Sequence, residues 1–158
     1  MKVPPDKAEL EDALAELVAA IGRAERVRDQ LRTTLAVVVN MPGVVTVSEA
    51  NTNSRQHWAV LMKRKNAQKA ATRLYLSQLS TDTKRRLKAA AKLRVRFVRI
   101  GGKKLDDDNA RSAAKYIRDA LAEFLGVDDK SDWYEWLPPV QESGERGVRI
   151  EMFAEGAE

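Results

Sequence analysis

Residues 105–129 read LDDDNARSAAKYIRDALAEFLGVDD, and their spacing dictates what the neighbouring segments must do. Ala113, Ile117, Ala120, Leu121 and Phe124 recur at helical intervals, so a helix over residues 109–125 gains one apolar face. Arg111, Ser112, Lys115 and Asp119 fall on its polar face, and Gly126 sits where a helix end is expected. Asp106, Asp107 and Asp108 precede this helix, while Asp128 and Asp129 follow it. A carboxylate at a helix start caps free N–H groups and suits the positive end of the dipole. One aspartate satisfies that need. Three adjacent carboxylates repel one another, and such hard oxygen donors are what Mg²⁺ or Mn²⁺ takes as ligands. On the residues alone, both readings stand.

Immediately upstream, residues 93–100 alternate Leu93, Val95 and Phe97 with Arg94 and Arg96, the pattern of a half-buried strand with one charged face. Gly101-Gly102-Lys103-Lys104 then forms a flexible basic loop that delivers the aspartates, a common placement for catalytic groups. Downstream, residues 132–137 alternate again, with Tyr134 and Trp136 on one side, until Pro138-Pro139 ends the pattern. Residues 147–153 read as a final strand, and residues 44–48 as a short one after a turn at Asn40-Met41-Pro42-Gly43. The expected fold is α/β or α+β: a small mixed sheet of these four strands with helices packed against it.

Charge is divided along the chain. Residues 51–104 hold 16 Lys and Arg against one acid, Asp82, whereas residues 105–158 hold 14 Asp and Glu against 6 Lys and Arg. One half suits a polyanion and the other suits cations, although two solvated faces that neutralise each other would read the same way. A helix is expected over residues 58–79, with Leu61, Ala67, Ala70, Ala71 and Leu74 apolar and Lys63, Arg64, Lys65, Lys69 and Arg73 available to phosphates. Lys84, Arg85, Arg86, Lys88 and Lys92 continue the basic series in a shorter helix. His57, the single histidine, cannot make a histidine-based metal site, and as a loop residue it could contact phosphate.

Pro4-Pro5-Asp6 marks a helix start. Leu10, Leu14, Leu17, Ile21, Ala24, Arg28, Leu31 and Leu35 then follow a heptad, with Arg28 its misfit. This segment is expected to be a helical extension over residues 1–40, ahead of a domain over residues 41–158. An arm between protomers and a helix lying on its own domain are both compatible with so short a seam. The chain has no cysteine, no signal peptide and no apolar run near the ~20 residues a membrane helix needs. A soluble protein of the cytoplasm, with no membrane partner, is the expectation.

The pattern D-x-D-N (residues 106–109), a helical lysine, R-D-A-L (118–121) and L-G-V-D-D (125–129) resembles the RusA family of Holliday junction resolvases, in particular phage-type RusA-like endonucleases. The likeness covers residues 93–152, and more loosely residues 43–73. It implies an Mg²⁺-dependent crossover junction endodeoxyribonuclease, with Mn²⁺ able to substitute, acting on four-way DNA junctions in a bacterial cytoplasm and encoded by a phage or prophage. Asp106, Asp108 and Asp129 match the family's catalytic aspartates and would hold the metal, with Asp107 and Asp128 beside them. Lys115 matches the catalytic lysine, yet it lies six residues after Asn109 instead of three, and Ser112 occupies the shorter spacing. The two positions differ by about 60° around a helix, so one face serves either. Lys63, Arg64, Lys65, Lys69, Arg73, Arg94, Arg96, Lys103 and Lys104 would grip the DNA arms.

A straight helix over residues 109–125 would be about 25 Å long, too long for Asp108 and Asp129 of one chain to share an ion. Either the helix is broken, or Asp106 and Asp108 meet Asp129 of the partner subunit across a two-fold axis in a homodimer. The second is the expectation. Alternatives of other kinds are a DNA-binding accessory protein whose aspartates only cap a helix, an interaction protein working through its N-terminal helix, and a nuclease for flaps or forks.

Overall fold

In the computed structural model, which describes residues 7–48, 58–128 and 130–156, the chain forms two compact units, Met1–Thr34 and Leu35–Glu158. Helix α1 (Lys7–Thr33) makes up the first. Its heptad positions Leu10, Leu14, Leu17 and Ile21, with Val18 beside them, are each at least half exposed. Among the described residues no helix is long and apolar enough to cross a membrane.

The second unit is built on β2 (Lys92–Ile100), which has paired neighbours on both sides. Antiparallel β5 (Gly147–Glu155) runs along its whole length, from Lys92 opposite Glu155 to Ile100 opposite Gly147. Its other side is shared by two short parallel strands: β3 (Tyr134–Trp136) beside Leu93–Val95, and β4 (Val140–Glu142) beside Val98–Ile100. Pro138-Pro139 separates them, because proline has no N–H to continue the ladder. β1 (Thr34–Pro42) pairs with β5 and completes the order β1-β5-β2-β3. The mixed sheet with helices packed on it is therefore present, and three of the four expected strands are found within two residues of their expected ends.

The fourth is misplaced. Residues 44–48 form no strand, and the strand lies at residues 34–42, where the heptad reading carried a helix through Leu35. Val37, Val38 and Val39 favour extended backbone, and Val37, Val39 and Met41 alternate into the core while Val38 stays out. Pro42 then closes a strand instead of sitting inside a turn, and Gly43 (φ 75°) makes the turn itself. Because β1 belongs to the sheet, an extension ending at residue 40 would cut through the core.

Helices α2 (Trp58–Ser77), α3 (Thr81–Ala89), α4 (Asp107–Ala113) and α5 (Lys115–Leu125) complete the unit. The core joins Leu76, Leu87, Ile117, Leu121 and Leu125 from the helices to Leu93, Val95, Phe97, Ile150 and Met152 from the sheet. Ile117, Ala120 and Leu121 are buried as the spacing requires. α2 differs from expectation: Leu74 is exposed, and the inward row is Gln68, Thr72 and Leu76. The Thr72 hydroxyl donates to Gln68 O at 2.8 Å and Gln68 Nε2 donates to Val45 O at 2.8 Å, while Gln68 Oε1 is buried with no partner among the described residues. The outward face of the sheet carries ion pairs: Lys92–Glu135 at 2.8 Å, Arg94–Glu155 at 2.5 Å, Arg96–Glu151 at 3.6 Å and Arg149–Glu142 at 2.6 Å.

Candidate functional site

The loop that leaves β2 is fixed at several points. Gly101 donates its N–H to Glu142 O at 2.9 Å, and Arg99 Nη1 donates to Lys103 O at 2.8 Å. Leu105 is gripped by the Gln141 amide, which accepts from its N–H and donates to its carbonyl, both at 2.8 Å. β4, which was not legible in the sequence, therefore sets where the aspartates begin.

Asp106 is the N-cap of α4. Its Oδ1 accepts from Asn109 N at 2.9 Å and its Oδ2 from Asn109 Nδ2 at 2.9 Å. The Ser48 hydroxyl donates to Asn109 Oδ1 and so ties the end of the described 44–48 segment to α4. Asp107 and Asp108 are exposed in the first helical turn, with no bonded partner among the described residues. Asp128, also exposed, accepts from Lys130 N at 3.0 Å through Oδ1. Among the described residues no three His, Cys, Asp or Glu side chains converge on one point. Asp129, the third expected ligand, lies outside the described residues, as do His57, the loop Asn51-Thr52-Asn53-Ser54 and the Pro4-Pro5-Asp6 cap.

The helix after the aspartates is broken. α4 ends at Ala113, and the N–H of Ala114 turns back to Arg111 O and Ser112 O before Arg118 N to Ala114 O resumes the regular ladder in α5. This corrects the expectation of one straight helix of about 25 Å. Lys115 starts α5 and is exposed; Ser112 is half-buried; both line one surface depression with Arg111, Arg118 and Asp119. Lys115 Nζ lies 6.0 Å from the centre of the Tyr116 ring, and Lys65 Nζ of α2 lies 5.9 Å from the same centre. One expected catalytic lysine and one expected phosphate-binding lysine thus each lie near the same aromatic ring.

Eight of the nine cations expected to bind DNA, all but Arg64, divide into two groups. Lys69 and Arg73 both reach Glu123 of α5 at 2.6 Å, and Arg94 and Arg96 hold Glu155 and Glu151. Their charge already has a carboxylate beside it. Lys63, Lys65, Lys103 and Lys104 have none among the described residues, and Arg64 is half-buried. The Lys69 and Arg73 contacts hold the Glu123 carboxyl well below its usual 4.5, at about 2. A carboxyl depressed in the folded state contributes stability above its unfolded pKa and loses it as pH falls through the folded one. Glu123 is about half exposed, so the contribution is below about 1 kcal/mol. The gap in Tm between the native chain and Glu123→Gln is expected to be full at pH 6 and to close between pH 4.5 and 2. A gap independent of pH would mean that this carboxylate does not clamp α2 to α5.

Two more cations escape the sequence reading, Arg99 and Arg146. The positions are far apart in the chain, but one signal was available: Arg99 breaks the alternation set by Lys92, Arg94 and Arg96. No protein-family model matches the chain, and no curated protein matches its sequence.

Proposed function

We propose that this protein is an Mg²⁺-dependent endodeoxyribonuclease acting on branched DNA, with the four-way junction as substrate and paired symmetric nicks as product. The observation that carries the reading is the placement of two carboxylates in the first turn of α4, Asp107 and Asp108, directly after a pinned loop bearing two cations, Lys103 and Lys104, the side chains of all four having no bonded partner among the described residues. A nuclease needs cation ligands and phosphate contacts side by side.

The chemistry of the donors fits a hard divalent cation: Asp106, Asp108 and Asp129 would hold it, with Asp107 and Asp128 beside them. When bound, Mg²⁺ or Mn²⁺ supplies an activated water and stabilises charge on the phosphate. Asp106, through its double contact with Asn109, fixes the start of α4 and so the direction of its neighbours. Lys115, which lies near the Tyr116 ring as Lys65 does, would offset the charge of the phosphate undergoing attack. Lys63, Lys65, Lys103 and Lys104 would hold the backbone by contacts that carry no sequence preference. Two copies of the chain, one for each nick, belong to the same reading.

Cleavage of a labelled synthetic junction in Mg²⁺, Mn²⁺ or EDTA tests this, with linear duplex and flap substrates as controls. Paired nicks that require metal are expected. Tight binding without cleavage in either metal would favour a second reading, a DNA-binding accessory protein. That reading draws on Asp106, which already directs both carboxylate oxygens at Asn109.

The N-terminal helix is expected to be dispensable for the chemistry. A chain starting at Thr34 keeps β1, so it should fold and retain metal-dependent cleavage, whereas removal through residue 40 deletes Val37 and Val39 from the core. Loss of cleavage in a chain that starts at Thr34 and melts cooperatively would place the function in α1.

A further inference from the structure

Beside the aspartate loop lies a cleft of about 220 Å³, walled by Val44–Val47, Arg99, Ile100, the Gly101–Lys103 turn, Arg146 and Gly147. Its charged residues are Arg99, Lys103 and Arg146. Among the described residues no carboxylate lines it. This departs from the rest of β2 and β5, where Lys92, Arg94, Arg96 and Arg149 each hold a glutamate. Glu142, the acid whose backbone meets Gly101, has its carboxylate committed to Arg149 at 2.6 and 2.9 Å.

The cleft is built around a guanidinium. A side chain at Gly102 would stand 2.9 Å from Arg99 Nη2, and one at Gly101 would stand 2.6 Å from the carbonyl of Gly144. Both glycines have positive φ, 73° and 76°, so the turn is shaped to close over Arg99 without covering it. Burial pushes the Arg99 guanidinium down from its usual range, and the Arg146 charge pushes it further the same way. Two like charges held together beside apolar walls raise the energy of the empty site, and an anion lowers it.

We infer that the Arg99–Lys103–Arg146 cleft is a binding site for a phosphoryl oxyanion. The Arg146 guanidinium, the Arg99 N–H groups not used by Lys103 O and an ammonium group match the several oxygens of a phosphate, and Val44, Val47 and Ile100 limit screening by water. A free phosphate and a backbone phosphodiester share this chemistry. The site shares Lys103 with the proposed DNA contacts but uses none of Asp106, Asp107 and Asp108. Loss of anion binding and loss of metal-dependent cleavage can therefore be told apart.

The test follows thermal unfolding of the full chain against increasing inorganic phosphate at constant ionic strength, and separately against a short single-stranded oligonucleotide. Native chain, Arg146→Gln and the double variant Arg99→Gln/Arg146→Gln are compared, with Arg85→Gln as a control because Arg85 pairs with Asp82 elsewhere on the surface. The expected result is a saturable rise in Tm for the native chain and the control. In Arg146→Gln the half-saturating concentration should rise about tenfold, the size of one lost charge-assisted contact, and in the double variant the rise should vanish. Without ligand, at low salt, Arg146→Gln should melt no lower than the native chain, since it relieves a repulsion. A response to the oligonucleotide alone identifies a phosphodiester site, and a response to phosphate alone a free-phosphate site; either supports the inference. Three results overturn it: no saturable rise with either probe, a rise undiminished in the double variant, or an Arg146→Gln chain that melts lower without ligand.

Discussion

Replacing Asp108 with Asn is expected to lower Mg²⁺-dependent cleavage of a four-way junction by about 10²–10³-fold, the usual scale for removing one group that stabilises developing charge. The change keeps shape and hydrogen-bonding capacity and removes only the negative charge. Asp108 is exposed, with no bonded partner among the described residues, so little of the fold depends on it. If the carboxylate serves only the helix dipole, the variant loses about 0.3–1 kcal/mol of stability and no activity. Asp106→Asn gives a sharper contrast. Asn is as good an N-cap as Asp, so the Asp106 contact to Asn109 N can survive while ligation is lost. Cleavage that falls in both variants while Tm holds supports the nuclease. Unchanged cleavage in both would end it. Mixing Asp108→Asn with Asp129→Asn chains addresses the homodimer: recovered activity requires Asp108 and Asp129 from different subunits in one site.

The largest effect on stability is expected at Phe97, in the middle of β2 and 1% exposed. It is among the largest fully buried side chains, and it faces the same core as Ile117 and Leu121 of α5. Phe97→Ala leaves a void that close-packed neighbours fill only in part, at a cost of about 3–5 kcal/mol. Domains of this size have total stabilities of about 5–15 kcal/mol, so the variant should lie near the edge of folding. Urea denaturation measures the difference directly. Leu74→Ala on α2 is the comparison: the residue is 58% exposed and should cost less than about 0.5 kcal/mol. A loss at Phe97 no larger than that at Leu74 would contradict the packing described above.

Much of the fold follows from periodicity where one residue type fills each face. β2 and α5 are such elements, with Leu93, Val95 and Phe97 in one and Ile117, Ala120 and Leu121 in the other. Reading fails where a pattern continues by accident. Leu31 and Leu35 extend the heptad of α1 by spacing alone and hide three consecutive valines that belong to β1. It also fails where burial is polar, since nothing local to Gln68 or Thr72 announces that Val45 O and the helix backbone will accept from the Gln68 amide N–H and the Thr72 hydroxyl. The interruption at Ala114 has no proline or glycine to mark it. For the candidate site, the aspartates and Lys115 were legible as a motif, and the structure adds their supports, Gln141 and Ser48. Arg99 and Arg146 were not legible together, because only the chain's return through β5 makes them neighbours.

The split between β3 and β4 also affects how the molecule keeps to itself. A sheet edge with a continuous row of N–H and C=O groups invites a foreign strand to add, which is how fibrils start. Pro138-Pro139 interrupts the row of donors along this edge, and a strand approaching from outside finds two separate segments of three residues each. The diproline thus acts as a gatekeeper against self-templated growth, at a place where Trp136 and Leu137 would otherwise favour it.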